Sequence, residues 1–159
     1  MKRVIISFIL IFAGLTLGSS VSAQRNIDQA IDRDPILEQD AKHNLDVAWQ
    51  AFTLKKAYKG VLMRFEETFA AYPTFSKMDE FLYLAGMSSY YLSEGKGKQA
   101  VDLKSEKEKT KYAPAKLRED AVAYLALLVD KHPQSKYRDD AEKILAQLKG
   151  EVGTSLKSN

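Results

Sequence analysis

A chain that repeats its own apolar pattern at a fixed distance can fold only into units that stack on one another, and this one does so at 60 residues. The segment from Tyr58 to Pro73 places Val61, Leu62, Phe65, Phe69 and Tyr72 before Pro73, and the segment from Leu117 to Pro133 places Ala121, Val122, Leu125, Val129 and His132 before Pro133. Five positions (61/121, 65/125, 69/129, 72/132 and 73/133) keep their character at the constant offset. Each copy reads as a helix with an apolar stripe that stops at Pro, with a new amphipathic helix a few residues later. The expectation is an all-α fold of stacked antiparallel helical hairpins. Such folds usually bind rather than catalyse.

The first residues belong to processing and not to the fold. Met1-Lys2-Arg3 is a basic start, Val4 to Leu17 is an apolar run, and Val21-Ser22-Ala23 is a small-residue cleavage site, so residues 1–23 read as a secretory signal peptide. The apolar run is short of the roughly 20 residues that span a bilayer as a helix. There is no cysteine, which excludes disulfides, thiolate chemistry and lipidation on a cysteine, and the 136 residues after Ala23 must find their stability in a core. Without Lys2 and Arg3 the 24 basic residues fall to 22 against 21 acidic ones. Global charge therefore does not support a nucleic-acid partner.

Residues 24–34 offer few apolar anchors and read as a flexible leader. Asp34-Pro35 is a strong helix start, and Leu37, Ala41, Leu45, Ala48, Trp49 and Phe52 follow at helical period. Between this stripe and the next stand only Leu54 to Ala57 and Gly60, so one long helix from 35 to 71 and a hairpin turning near 54–57 both fit the pattern. The hairpin is preferred, because an unbroken helix of roughly 55 Å would leave its apolar faces far apart. Ser76-x-x-Asp79 resembles a capping box, and the third helix spreads apolar and aromatic residues over several faces. Ser93 to Ala115 interrupts the pattern with Lys96, Lys98, Lys104, Lys107, Lys109 and Lys111 among acidic residues. It reads as a polar insertion at 93–115, solvated and mobile or transiently helical, with a basic recognition loop as the functional alternative. A fourth stripe from Leu117 leads to a last helix with one polar face, suited to capping an array, with Ser135 as its cap. Residues 149–159 read as a disordered tail.

Catalytic chemistry finds no support in this pattern. The Gly95-Lys96-Gly97-Lys98 stretch lacks phosphate-loop spacing, the two histidines His43 and His132 have structural places, and Asp139, Asp140 and Glu142 suit a helix start better than a metal. No catalytic residue, metal or cofactor is expected.

Val61, Phe65 and Pro73, matched by Ala121, Leu125 and Pro133, resemble the second helix of a tetratricopeptide repeat. More narrowly, His132-Pro133-Gln134-Ser135-Lys136-Tyr137-Arg138-Asp139-Asp140-Ala141 resembles the inter-helix junction of the BamD (YfiO) group of outer-membrane assembly lipoproteins, and Tyr72-Pro73-Thr74-Phe75-Ser76 is a looser copy. Residues 35–148 carry the resemblance, with room for about two repeats plus a capping helix where that group carries about five and is lipidated on a cysteine. The resemblance implies an exported, periplasmic scaffold, peripheral to the outer membrane, whose concave side docks a protein or peptide in cell-envelope assembly. It also implies that first helices line that side, which marks Asp46, Gln50 and Thr53 on one and Tyr83, Met87, Tyr90 and Tyr91 on the other. The alternative is a structural subunit that completes a larger helical assembly. The leader reading predicts a mature N-terminus at Gln24 in a periplasmic fraction; mass spectrometry finding Met1 intact in the purified envelope form would refute it.

Overall fold

Asp34 starts the first helix as its chemistry dictates: one carboxylate oxygen accepts the N–H groups of Ile36 (2.8 Å) and Leu37 (3.3 Å), and Pro35 needs no partner there. The computed structural model describes residues 33–155 apart from 100 and 103. The leader peptide and its cleavage site, all but the end of 24–34, and the last four residues lie outside the described residues. Helix α1 (Pro35–Gln50) ends in a wide turn at Ala51–Lys55, and α2 (Tyr58–Ala71) begins just beyond it. The turn closes through Ala57 N–H on the Ala51 carbonyl (2.9 Å), and Lys56 takes a left-handed φ of 52°. The chain is therefore a hairpin here and not one long helix.

The 60-residue echo is also an echo in hydrogen bonds. Around Pro73 the N–H groups of Tyr72, Phe75, Met78 and Phe81 donate to the carbonyls of Thr68, Tyr72, Phe75 and Lys77. Around Pro133 those of His132, Ser135, Arg138 and Ala141 donate to Leu128, His132, Ser135 and Tyr137. Every bond of one junction has its counterpart 60 residues on. Two of the expected core pairs, 61/121 and 65/125, are buried in both copies, while Phe69 of the 69/129 pair lies 40% exposed. The register extends to α1: buried Ala41 and Leu45 have buried counterparts 40 residues later at Phe81 and Ala85, then 60 further at Ala141 and Leu145. Helices α1, α3 (Met78–Ser93) and α6 (Arg138–Ser155) are thus equivalent first helices. Helices α2 and α5 (Pro114–Lys131) are the second helices of two hairpins.

The tight point of the stack is where α3 meets α5. A Cβ placed on Gly86 would lie 2.6 Å from both Cγ and Cδ2 of Leu125, so only glycine lets the two helices come this close. Phe65 and Phe81 pack edge to face beside this contact, with ring centroids 5.7 Å apart, and Tyr124 meets Phe65 at 4.8 Å. Flanked by α2 on one side and α5 on the other, α3 buries most of its residues, as the spread of its apolar positions implied.

Three local expectations are corrected. Ser76 does not form a capping box with Asp79: its N–H lies 3.3 Å from both Glu38 carboxylate oxygens, its hydroxyl also bonds Glu38, and α3 starts without a side-chain cap. Glu38 on α1 outcompetes the local partner because it ties the junction to a neighbouring helix. The insertion is not a free loop. It forms a short helix, α4 (Glu106–Lys111), held to α2 by Lys59–Glu108 (2.6 Å) and Lys111–Glu66 (2.5 Å), with Tyr112 buried beside it. The Lys59 ammonium, with the Asp102 N–H, keeps the Glu108 carboxyl below its usual range. Helix α6 runs past Gly150 to Ser155, so the tail expected from 149 is in part helix.

The Gly86–Leu125 contact gives a double-mutant test. Leu125→Ala should cost about 2–5 kcal/mol as a cavity, and Gly86→Ala should destabilise by collision. Together they should cost less than their sum by about 0.5–3 kcal/mol, because truncation removes the atoms that the new methyl strikes. Urea melts giving strict additivity would refute the contact.

Candidate partner-binding face

On α3 the residues left partly open are Asp79, Glu80, Tyr83, Tyr90 and Tyr91, a strip along the side that neither hairpin partner covers. Trp49 of α1 reaches it directly: its indole N–H donates to the Glu80 carboxylate at 2.6 Å. Tyr137, just before α6, reaches it from the other side. Its ring stacks on Tyr83 with centroids 4.6 Å apart at 17°, and its centroid is 6.2 Å from that of Trp49. Below this stack the Ser135 hydroxyl donates to Asp79 (2.6 Å) while accepting the Tyr137 N–H (3.2 Å). Ser135 therefore serves the first turn before α6 and also fixes α6 to α3. The three first helices are stitched along one seam of aromatic rings and carboxylates.

Farther along, Phe52 stacks on Tyr91 (5.9 Å), Tyr58 lies 5.2 Å from Tyr91, and the Lys96 ammonium sits over Tyr90 and Tyr91 at 6.0 and 5.5 Å. Of the residues marked in the sequence, Tyr83, Tyr90 and Tyr91 share this strip, and Met87 lies on it but is buried beneath the surface. Asp46 and Gln50 are exposed on α1 and Thr53 is exposed in the wide turn after it, its hydroxyl bonded back to the Trp49 carbonyl at 2.7 Å. Sequence reasoning did not assign Glu80 and Tyr137 to the face. The only sequence signal for Tyr137 is its place in the junction motif.

Burial pushes the phenols of Tyr83 and Tyr137 above their ordinary value, helped by Asp140 at Tyr83 and by Glu80 at Tyr137. Lys136, whose ammonium stands 4.7 Å over the Tyr137 ring, is raised by its bond to Tyr137 and by the charges of Glu80 and Asp79.

A second concavity, a cleft of about 200 Å³, lies between α2, α5 and the insertion, with Glu66, Ser89, Lys111, Lys116, Asp120 and Tyr124 in its lining. Its cations are already paired, Lys111 with Glu66 and Lys116 with Asp120, and burial lifts the Tyr124 phenol to about 12. No group of three or more acidic or histidine side chains among the described residues could hold a metal ion.

Residues 13–154 match the YfiO family, described as outer membrane lipoprotein. The chain belongs to the YfiO family. No curated protein and no solved structure matches it. Membership points to a cell-envelope location and to a role of the outer-membrane assembly kind. No helix among the described residues is long and apolar enough to cross a membrane. The first-helix face is continuous from α1 over α3 to the start of α6, whereas the charges of the cleft are paired with one another.

Among the raised phenols, those of Tyr83 and Tyr137 bear on stability at alkaline pH. Both hold their protons above pH 10.0, the ordinary value, so the stabilisation they give is full below that pH and is lost as pH climbs through the raised values. Thermal stability should fall above pH 10, and the fall should be shallower in Tyr83→Phe/Tyr137→Phe. Parallel pH profiles of the two proteins would contradict the assignment.

Proposed function

We propose that this protein is a non-enzymatic adaptor of the cell envelope that docks a protein or peptide segment on the face shared by α1, α3 and the start of α6, in the service of outer-membrane assembly. The observation that carries the reading is the seam itself. Trp49, Glu80, Tyr83 and Tyr137 come from three helices and hold one another in place. A surface fixed in this way loses little conformational freedom on binding, so the ordering cost falls on the partner. Asp46, Gln50 and Thr53 border the seam as exposed polar groups able to fix register, while Tyr90 and Tyr91 extend it with large, stiff contact area. Family membership supports the envelope setting, and the protein would work there as an exported, periplasmic component.

A second reading, a structural subunit of a larger helical assembly, draws on the large apolar side chains left open: Ile36 is 71% and Leu54 74% exposed. Stable self-association of the purified protein, seen by light scattering, would favour that reading.

Capture from envelope extract with tagged protein tests the adaptor. Gln50→Arg and Tyr83→Ala should each reduce recovery of the captured partner at unchanged melting temperature for Gln50→Arg, while Lys104→Ala/Lys107→Ala on the insertion should leave recovery intact. Recovery lost only in the insertion variant would move the site away from the first-helix face.

A further inference from the structure

The seam carries a charge pattern that its packing role does not require. Asp46 lies on α1, Asp79 and Glu80 on α3, and Asp140 on α6. Asp79 and Glu80 are held by the Ser135 hydroxyl and the Trp49 indole, both neutral donors, so their positions are fixed without their charge being cancelled. The cations placed among these groups are Lys136, over Tyr137, and Lys143, paired with Asp140 at 3.2 Å. Around the stacked Tyr83–Tyr137 rings Asp79, Glu80 and Asp140 stand against Lys136 and Lys143, a surplus of one negative charge, while Lys96 lies farther along the strip over Tyr90 and Tyr91.

From this pattern we infer that the partner segment docked on the first-helix face bears arginine or lysine side chains, and that one of its cations seats against the Tyr83–Tyr137 pair between Glu80 and Asp140. The inference rests on the adaptor reading and adds the chemistry of the partner. The chain itself supplies a precedent in Lys136, whose ammonium lies 4.7 Å from the Tyr137 ring and whose charged form is favoured by Glu80 and Asp79. An aromatic face next to a carboxylate favours a guanidinium twice, through the ring quadrupole and through the ion pair. An acidic segment meets repulsion at the same place. Of the insertion's lysines, Lys111 and Lys109 are paired with Glu66 and Glu106, and Lys96 lies over Tyr90 and Tyr91 and not at the Tyr83–Tyr137 pair. Lys136 is then an internal competitor: it occupies one ring and repels an incoming cation.

The test uses the full chain and the emission of Trp49, its single tryptophan, which sits in the seam. The probe is a synthetic peptide with arginines spaced by glycine and serine; the control has glutamate in place of each arginine. The arginine peptide should change the emission saturably, more weakly as salt is raised, and the glutamate peptide should not. Asp140→Asn should weaken the affinity about two- to fivefold, and Lys136→Gln should tighten it by a similar factor. Lys116→Gln, beside the other cleft, should leave it unchanged, which separates local competition from a change in net charge. Equal binding of the glutamate peptide, or no tightening in Lys136→Gln, would overturn the inference. If the arginine peptide fails while capture still depends on Gln50 and Tyr83, the cationic partner falls and the adaptor stands.

Discussion

The approach of α3 to α5 at Gly86 is the contact on which the rest depends. With no side chain at 86, Leu125 fills the space against the α3 backbone, and the two hairpins become one body. That approach sets where α5 ends, hence where the Pro133 junction turns, hence where Ser135 and Tyr137 arrive. Ser135 then meets Asp79 and Tyr137 meets Tyr83. A methyl group at residue 86 would act on the first-helix face without touching it, by pushing away the helix that positions its far edge.

The insertion is best understood as a brace. The turn between α1 and α2 contains Lys56 in a left-handed conformation, which a side-chain-bearing residue adopts at some cost. Its carbonyl is met by the Lys98 N–H at 2.9 Å. Gly97, with φ of 115°, makes that approach possible: a Cβ there would lie 3.1 Å from the Lys56 carbonyl oxygen and 2.9 Å from the Tyr58 ring. Gln99 then accepts the Gly60 N–H, and Lys59 and Glu66 of α2 are paired by Glu108 and Lys111. A segment rich in lysine is in this way tied mainly to α2, with Lys96 reaching Tyr90 and Tyr91 at the end of α3.

On the first helices the aromatic side chains that join the helices are also partly open at the surface. Aromatic rings joined at their edges and faces hold the first helices in register, and carboxylates border their remaining surface. Such a surface has few ways to rearrange, because moving Trp49 breaks its bond to Glu80 and moving Tyr137 unstacks Tyr83.

Much of this was legible in the chain. The 60-residue echo specified the two junctions down to their hydrogen bonds, because Pro ends a helix in the same way wherever it stands, and the apolar period specified which faces of α2 and α5 are buried. Asp34-Pro35 specified the start of α1. Local patterns misled where a distant residue offered a better partner: Ser76 looked like a cap for its own helix and went to Glu38, and the insertion looked unanchored because its anchors, Lys59 and Glu66, lie 49 and 45 residues from their partners in the chain. The sequence by itself determined the repeat, the start of α1 at Asp34-Pro35 and the ends of α2 and α5 before Pro73 and Pro133, since these follow from bonding and burial within one turn or one period. Only the tertiary structure decided that Tyr83, Glu80, Trp49 and Tyr137 form one face, because that depends on the angle and distance at which whole helices meet, and those are set by one missing side chain at Gly86.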